Sequence, residues 1–133
     1  PINPYNLRDQ KYGEAKVAVA GPLSNIFIAV LFGLSLRFLP ETGILFFQNL
    51  ETFFGYIVWV NLLLAVFNLL PIPPLDGSHI LFTFLPLSLN TRMALERYGF
   101  LILIFVIFFL LRWIVVVILW LYQLIVGTLP PFL

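Results

Sequence analysis

Three long runs of apolar residues constrain this chain more than any other feature of its sequence. They cover residues 17–38, 53–70 and 98–126, and each contains only a few polar members. About 20 apolar residues are enough for an α-helix to cross the hydrocarbon core of a bilayer. Because lipid offers the backbone no hydrogen-bonding partner, a spanning segment must be a helix or part of a closed barrel. The runs predict an all-α polytopic membrane protein.

The composition supports this prediction and excludes other classes. Of 133 residues, 62% are hydrophobic and 10% are charged, whereas soluble domains carry about 25% charged residues. The net charge of +1 lacks the excess of basic residues that is typical of a nucleic-acid-binding protein. The absence of cysteine excludes disulfides and thiolate zinc sites. At this length we expect a single membrane-embedded domain, residues 1–133.

The third apolar run is too long for a simple crossing. Its roughly 29 residues would extend about 43 Å as a helix, against a core of about 30 Å. Arg112 lies near its middle, where a charge is costly. We therefore expect a break near 111–113, with one long tilted helix as the alternative. The complete prediction is spans at 17–38, 53–70 and 98–111, a further helix at 113–127, loops at 39–52 and 86–97, and a proline-interrupted segment at 71–77 followed by a short apolar segment at 78–85.

The basic residues predict the orientation. Arg8, Lys11 and Lys16 precede the first span, and Arg92 and Arg97 precede the third. Cytoplasmic loops carry the excess of Lys and Arg. We expect the N-terminus of the chain and the 86–97 loop to be cytoplasmic, and the 39–52 loop to face outward.

Two polar residues at membrane depth are candidates for function. Asn25 lies roughly 12 Å into the first span, and Asp76 follows the second span as it returns, so both are expected in the cytoplasmic half of the bilayer. A carboxylate in such apolar surroundings needs a cation. The alternatives are structural: Asn25 with Gly21 could form a helix-packing face, and Asp76 could cap the next segment. His79 is more simply a hydrogen-bonded structural residue, and Arg112 an interfacial anchor.

Two motifs resemble those of the site-2 protease family of intramembrane zinc metalloproteases. The sequence NLLPIPPLDG at 68–77 is similar to that family's N-x-x-P-x-P-x-L-D-G signature, and GPLSN at 21–25 resembles its G-x-x-x-N motif. The NPYNLRDQKYG segment at 3–13 resembles the segment that precedes this motif in small bacterial members without a PDZ domain.

The resemblance implies a zinc-dependent mechanism. In the family, one zinc ion is held by two histidines of an HExxH helix and by the aspartate of the LDG motif, and the HExxH glutamate is the general base. Asp76 would then be a metal ligand. Asn25 would hold the substrate strand or support the developing oxyanion. Expected partners are the lipid bilayer and transmembrane protein substrates, in a bacterial plasma membrane.

The chain departs from the family pattern in one respect, because it has one histidine and no HExxH. The family places that helix before G-x-x-x-N, so we expect a fragment that cannot bind catalytic zinc or cleave peptides alone. Two other functions remain open, a non-catalytic membrane scaffold derived from the family and a transporter segment. An HExxH upstream of Pro1 would favour the protease, and its absence the scaffold. Substrate flux without cleavage would indicate transport.

Overall fold

The computed structural model describes residues 12–40 and 42–133, and every regular element in them is a helix. Four helices follow one another along the chain: α1 (Gly13–Arg37), α2 (Leu45–Asn68), α3 (Asp76–Phe84) and α4 (Leu89–Val126). No strand occurs within these residues. The predicted all-α class is therefore confirmed. Arg8 and Lys11, on which the predicted orientation partly depends, lie outside the described residues.

Helices α1, α2 and α4 are long and apolar enough to cross a membrane. Their surfaces carry many large apolar side chains that are exposed. Phe108, for example, is 82% exposed and Phe109 is 65% exposed. Soluble monomers rarely expose contiguous apolar surface on this scale, whereas lipid tails cover it without cost. The chain is an integral membrane protein.

The break expected near residues 111–113 is absent. Helix α4 continues through Arg112 for 38 residues, about 57 Å at the α-helical rise, so the alternative of one long helix is correct here. Residues 100–126 contain neither proline nor glycine, and nothing local stops the helix. The Arg112 side chain is exposed, and its long apolar stem lets the charge leave the helix surface toward a polar layer.

Both predicted loops are shorter than the sequence suggested. Helix α2 already begins at Leu45, and α4 begins at Leu89, so residues 45–52 and 89–97 are helical. The start of α4 has a local cause that the sequence reading overlooked. The Ser88 hydroxyl accepts a hydrogen bond from the Thr91 backbone N–H at 3.2 Å, which is the geometry of an N-cap. One turn later Arg92 and Glu96 form an i,i+4 ion pair at 3.2 Å.

The described residues form two compact units. The first comprises residues 12–23 with Phe67–Leu111, and the second comprises Ser24–Val66 with Arg112–Leu133. In the first unit, α3 is buried along one side, at Gly77 and Ser78, and α1 contributes the small buried residues Ala15 and Ala18. Small side chains allow helices to approach closely where lipid removes the hydrophobic driving force.

The second unit packs α1, α2 and the end of α4 around small residues and rings. Gly33 of α1 lies directly against Ile125 of α4. The Tyr56 ring stacks on Phe132 with centroids 4.2 Å apart and planes 6° from parallel, so the chain after α4 is held against α2. The most buried side chains of this unit are Ala29, Val58, Leu62, Ala65, Ile118 and Tyr122.

Candidate metal-ligand site at the proline-rich turn

The segment between α2 and α3 is irregular because its sequence cannot be helical. Three prolines within residues 71–74 remove backbone donors and clash with a continuing helix. The segment instead closes on itself through short backbone hydrogen bonds, from the Ile72 N–H to the Leu70 carbonyl at 2.8 Å and from the Leu75 N–H to the Ile72 carbonyl at 2.9 Å. The Pro73–Pro74 peptide bond is cis. This compact turn ends where α3 begins, at Asp76.

Two glycines let other parts of the first unit approach the turn. A Cβ on Gly77 would overlap the carbonyl oxygens of Leu69 and Leu70, and would lie 2.6 Å from the Leu69 carbonyl carbon. A Cβ on Gly99 of α4 would overlap the Pro73 carbonyl oxygen and approach the Pro73 Cβ to 2.9 Å. Neither glycine has a positive φ. Both are needed for space, and together they fix the path of the chain into Asp76.

The Asp76 carboxylate lies against the GPLSN segment of α1. A Cβ built on Gly21 would be 3.2 Å from Asp76 Oδ2, so the absence of a side chain at Gly21 leaves room for this oxygen. Asp76 is the first residue of α3 and half-buried, where the positive end of the helix dipole favours a negative charge. Leu75, not Asp76, is the N-cap, and no side chain caps this end. The interpretation of Asp76 as an N-cap is therefore wrong.

Asn25 lies one turn beyond Gly21 on α1 and is half-buried. It falls in the second unit, whereas Gly21 and Asp76 fall in the first. The expected convergence of Asn25 and Asp76 therefore stays a prediction. Asn61 of α2 provides a contrast, since its amide donates to its own helix at the Ile57 carbonyl, 2.8 Å away. That bond explains Asn61 as a structural residue.

His79 takes part in a charged cluster that sequence reasoning did not find. Its Nδ1 lies 3.7 Å from Glu14 Oε2, and the same oxygen lies 3.8 Å from an Arg92 guanidinium nitrogen. Arg92 also lies over the Phe82 ring, 4.8 Å from its centroid. The cluster joins α1, α3 and α4 within the first unit. Glu14 and His79 are 65 positions apart, so no local pattern could have linked them.

Among the described residues, Asp76 is suited to supply one ligand to a zinc ion. Asp76 offers carboxylate oxygens, which zinc accepts, and it has no ion pair within residues 12–40 and 42–133. Those residues contain no group of three His, Cys, Asp or Glu that could hold a metal. The one histidine of the chain faces Glu14 instead. A complete zinc site would need ligands beyond those that the described residues supply.

An apolar groove begins next to Asp76. Its volume is about 380 Å³, and its walls come from the turn and from α3, including Leu69, Pro71, Gly77, Leu81 and Phe84. Irregular backbone at membrane depth is tolerated where it lines a cavity or is buried in protein. The groove therefore starts at Gly77, the residue that follows Asp76 in α3.

Comparison with known proteins assigns a family to these features. Residues 40–111 match the family model described as Peptidase family M50. This region includes the turn, Asp76, Gly77 and Gly99. The match covers more than half of the chain, and it confirms the family resemblance that the NLLPIPPLDG motif carries, whereas GPLSN at 21–25 lies outside the matched residues.

Two curated proteins resemble the chain over part of their length. A Bacillus subtilis protein named "Putative zinc metalloprotease YwhC" is 33% identical over 107 residues, which are 77% of this chain and 49% of that protein. A Methanocaldococcus jannaschii protein named "Putative zinc metalloprotease MJ0611" is 39% identical over 66 residues, 50% of this chain and 32% of that protein. The chain spans about half the length of these relatives or less. No solved structure matches it.

Proposed function

The chain belongs to peptidase family M50, and we propose that it forms part of an intramembrane zinc metalloprotease in which Asp76 is a zinc ligand. The observation that carries this proposal is the position of the Asp76 carboxylate. The turn fixes its backbone, Gly21 leaves room for Oδ2, and no cation pairs with it among the described residues. A half-buried carboxylate without a partner fits a metal ligand better than a structural ion pair.

A zinc ion bound there would polarise the scissile carbonyl and lower the pKa of a bound water. This chain's part is to hold one carboxylate in place and to shape the adjacent cavity. The two further protein ligands and the general base would come from residues outside the printed sequence, which contains one histidine and no HExxH. By itself the chain is expected to bind no catalytic zinc and to cleave no peptide.

Asn25 would act on the substrate rather than on the metal. It follows Gly21 by one turn of α1, and an amide offers both a donor for an oxyanion and an acceptor for a backbone N–H. The role of substrate or oxyanion support matches its place in the GPLSN motif. A structural role would bind the amide to its own helix, as for Asn61.

The apolar groove that starts at Gly77 would receive a segment of a transmembrane protein substrate. Apolar side chains line it from Leu69 to Leu85, and a substrate drawn from the bilayer presents side chains of the same kind. The scissile bond would then lie at the Gly77 end of the groove, next in sequence to Asp76. A bacterial plasma membrane, with the start of this chain in the cytoplasm, is the proposed location.

The test is Asp76→Asn in the complete protein, which keeps the shape of the side chain and removes its charge. We expect proteolysis of a membrane-anchored substrate to be abolished and the zinc content, measured by atomic emission, to fall, while expression is unchanged. Glu96→Gln is the matched control, because it makes the same acid-to-amide change at an exposed position. It should leave both measurements unaltered.

Cleavage by Asp76→Asn at the parental rate would refute the assignment of this ligand. Loss of cleavage with full zinc content would also refute it, and would leave Asp76 a role in positioning. If the parent protein binds no zinc and cleaves no substrate, the chain is the non-catalytic scaffold considered above.

A further inference from the structure

The second unit contains a cavity that the proposed protease chemistry does not use. Its volume is about 370 Å³, within the range of small-molecule sites. Its walls come from the end of α1, the first turns of α2, the last turn of α4 and the residues after it. The short connection at 38–44 joins α1 to α2, and Ile125 of α4 packs on Gly33 of α1. The cavity therefore lies where three spanning segments end, at the level of the lipid headgroups.

Among the described residues, one positive and one negative side chain line this cavity. Arg37 is the last residue of α1, and Glu51 lies on α2. Neither forms an ion pair within the part of the chain that the structure describes. Arg37 lies beside the residue that follows α4: a Cβ built on Gly127 would be in ordinary contact with Arg37 Nε, 3.7 Å away. Two opposite charges line one cavity without neutralising each other.

Tyr122, whose buried hydroxyl has no hydrogen-bond partner among the described residues, is also one of the residues that line the cavity. Tyr122 lies on α4 and is fully buried. The oxygen lies over Gly55, 3.1 Å from the position of a Cβ on that glycine. Buried polar groups are nearly always paired. An unpaired hydroxyl in a cavity with two unpaired charges points to an occupant that supplies polar atoms.

We propose that this cavity binds a zwitterionic phosphate-and-ammonium group, the headgroup chemistry of phosphatidylethanolamine. Arg37 would bind the phosphate, which a guanidinium recognises through a pair of parallel hydrogen bonds. Glu51 would accept from the primary ammonium, and the Tyr122 hydroxyl would donate to a phosphate oxygen. The two charges that the described residues bring to the cavity sum to zero, so a headgroup of zero net charge leaves neither of them unbalanced.

The same charges discriminate among headgroups. An anionic headgroup without an amine, such as that of phosphatidylglycerol, would leave Glu51 unpaired and repelled by the phosphate. The trimethylammonium of phosphatidylcholine carries no N–H, so Glu51 would have a charge nearby and no hydrogen bond. The proposal is independent of zinc and of proteolysis.

Native mass spectrometry of the purified protein in detergent tests the proposal. The lipids are phosphatidylethanolamine, phosphatidylcholine and phosphatidylglycerol with identical acyl chains. We expect the ethanolamine lipid to bind at least about tenfold more tightly than the other two lipids, which is the effect of one charge-assisted hydrogen bond. Free phosphoethanolamine, titrated as a competitor, shows whether the ligand of the cavity is the lipid or a soluble molecule with the same headgroup chemistry. Weak competition indicates the lipid, and competition as strong as that of the lipid indicates a soluble phosphoamine.

Variants connect the preference to the cavity. Glu51→Gln should abolish the preference for ethanolamine and increase the binding of phosphatidylglycerol, because it removes the repulsion. Arg37→Gln should lower the affinity for all three lipids about tenfold or more. Tyr122→Phe should lower the affinity for the ethanolamine lipid without changing the shape of the cavity. Arg112→Gln is the matched control, since Arg112 is exposed and does not line the cavity. Equal binding of the three lipids, or a preference that survives both charge variants, would overturn the proposal.

Discussion

Replacement of Gly77 by alanine tests whether close packing holds the proline-rich turn against α3. Gly77 is the second residue of α3. Judged by helix propensity alone, alanine should stabilise the helix by up to about 1 kcal/mol. The structure predicts the opposite sign. The added Cβ would overlap the carbonyl oxygens of Leu69 and Leu70, and both are backbone atoms that cannot rotate away.

The expected change in the free energy of unfolding follows from two opposing effects, the gain in helix propensity and the cost of overpacking. Overpacking of a well-packed site costs about 1–3 kcal/mol, and three backbone atoms within 2.6 Å place Gly77 in the upper part of that range. After the gain in helix propensity, we expect a net loss of roughly 1–2 kcal/mol in the free energy of unfolding. Titration of the purified protein with dodecyl sulfate in mixed micelles, followed by tryptophan fluorescence, measures it.

Gly21→Ala is the matched control for Gly77→Ala. Within the described residues, and apart from its two chain neighbours and the nearby backbone of α1, the only atom within 4 Å of its added Cβ is Asp76 Oδ2 at 3.2 Å, and this atom ends a side chain that can turn by a few tenths of an ångström. We expect Gly21→Ala to unfold at the same dodecyl sulfate fraction as the parent, or slightly higher. If Gly77→Ala is as stable as Gly21→Ala, the turn is not packed as described, and the argument for a fixed Asp76 backbone fails.

Two further predictions concern the polar residues of α1. Asn25→Ala in the complete protein should lower turnover about 10²–10³-fold, the usual effect of losing one oxyanion donor, with zinc content retained; loss of zinc would indicate a structural role instead. Glu14→Gln should cost no more than about 1 kcal/mol, because its ion pairs to His79 and Arg92 are long and partly exposed. Measured by the same dodecyl sulfate titration, this cost should shrink at high salt, and a cost that salt does not change would contradict the ion-pair explanation.

The sequence predicted which segments are helical better than it predicted where the helices begin and end. The apolar runs predicted three spanning helices, and the prolines at 71–74 predicted the interruption before α3. The errors lay at 45–52 and 89–97, which were read as loops because they are more polar. Polarity distinguishes lipid from water, whereas a helix can continue through both when it lacks proline and glycine and has a cap such as Ser88. The same reasoning explains the continuity of α4 through Arg112.

By itself, the sequence determined that this is a helical membrane protein with an aspartate after a proline-rich turn, because hydrophobicity, proline geometry and motif are local properties. Only the tertiary structure showed that Gly21 makes room for the Asp76 carboxylate, that Gly77 and Gly99 are required for space, and that Glu14 lies beside His79. The same holds for the cavity that brings Arg37, Glu51 and Tyr122 to one wall. These contacts join residues far apart in the chain, and their distances depend on how the helices pack rather than on any one segment.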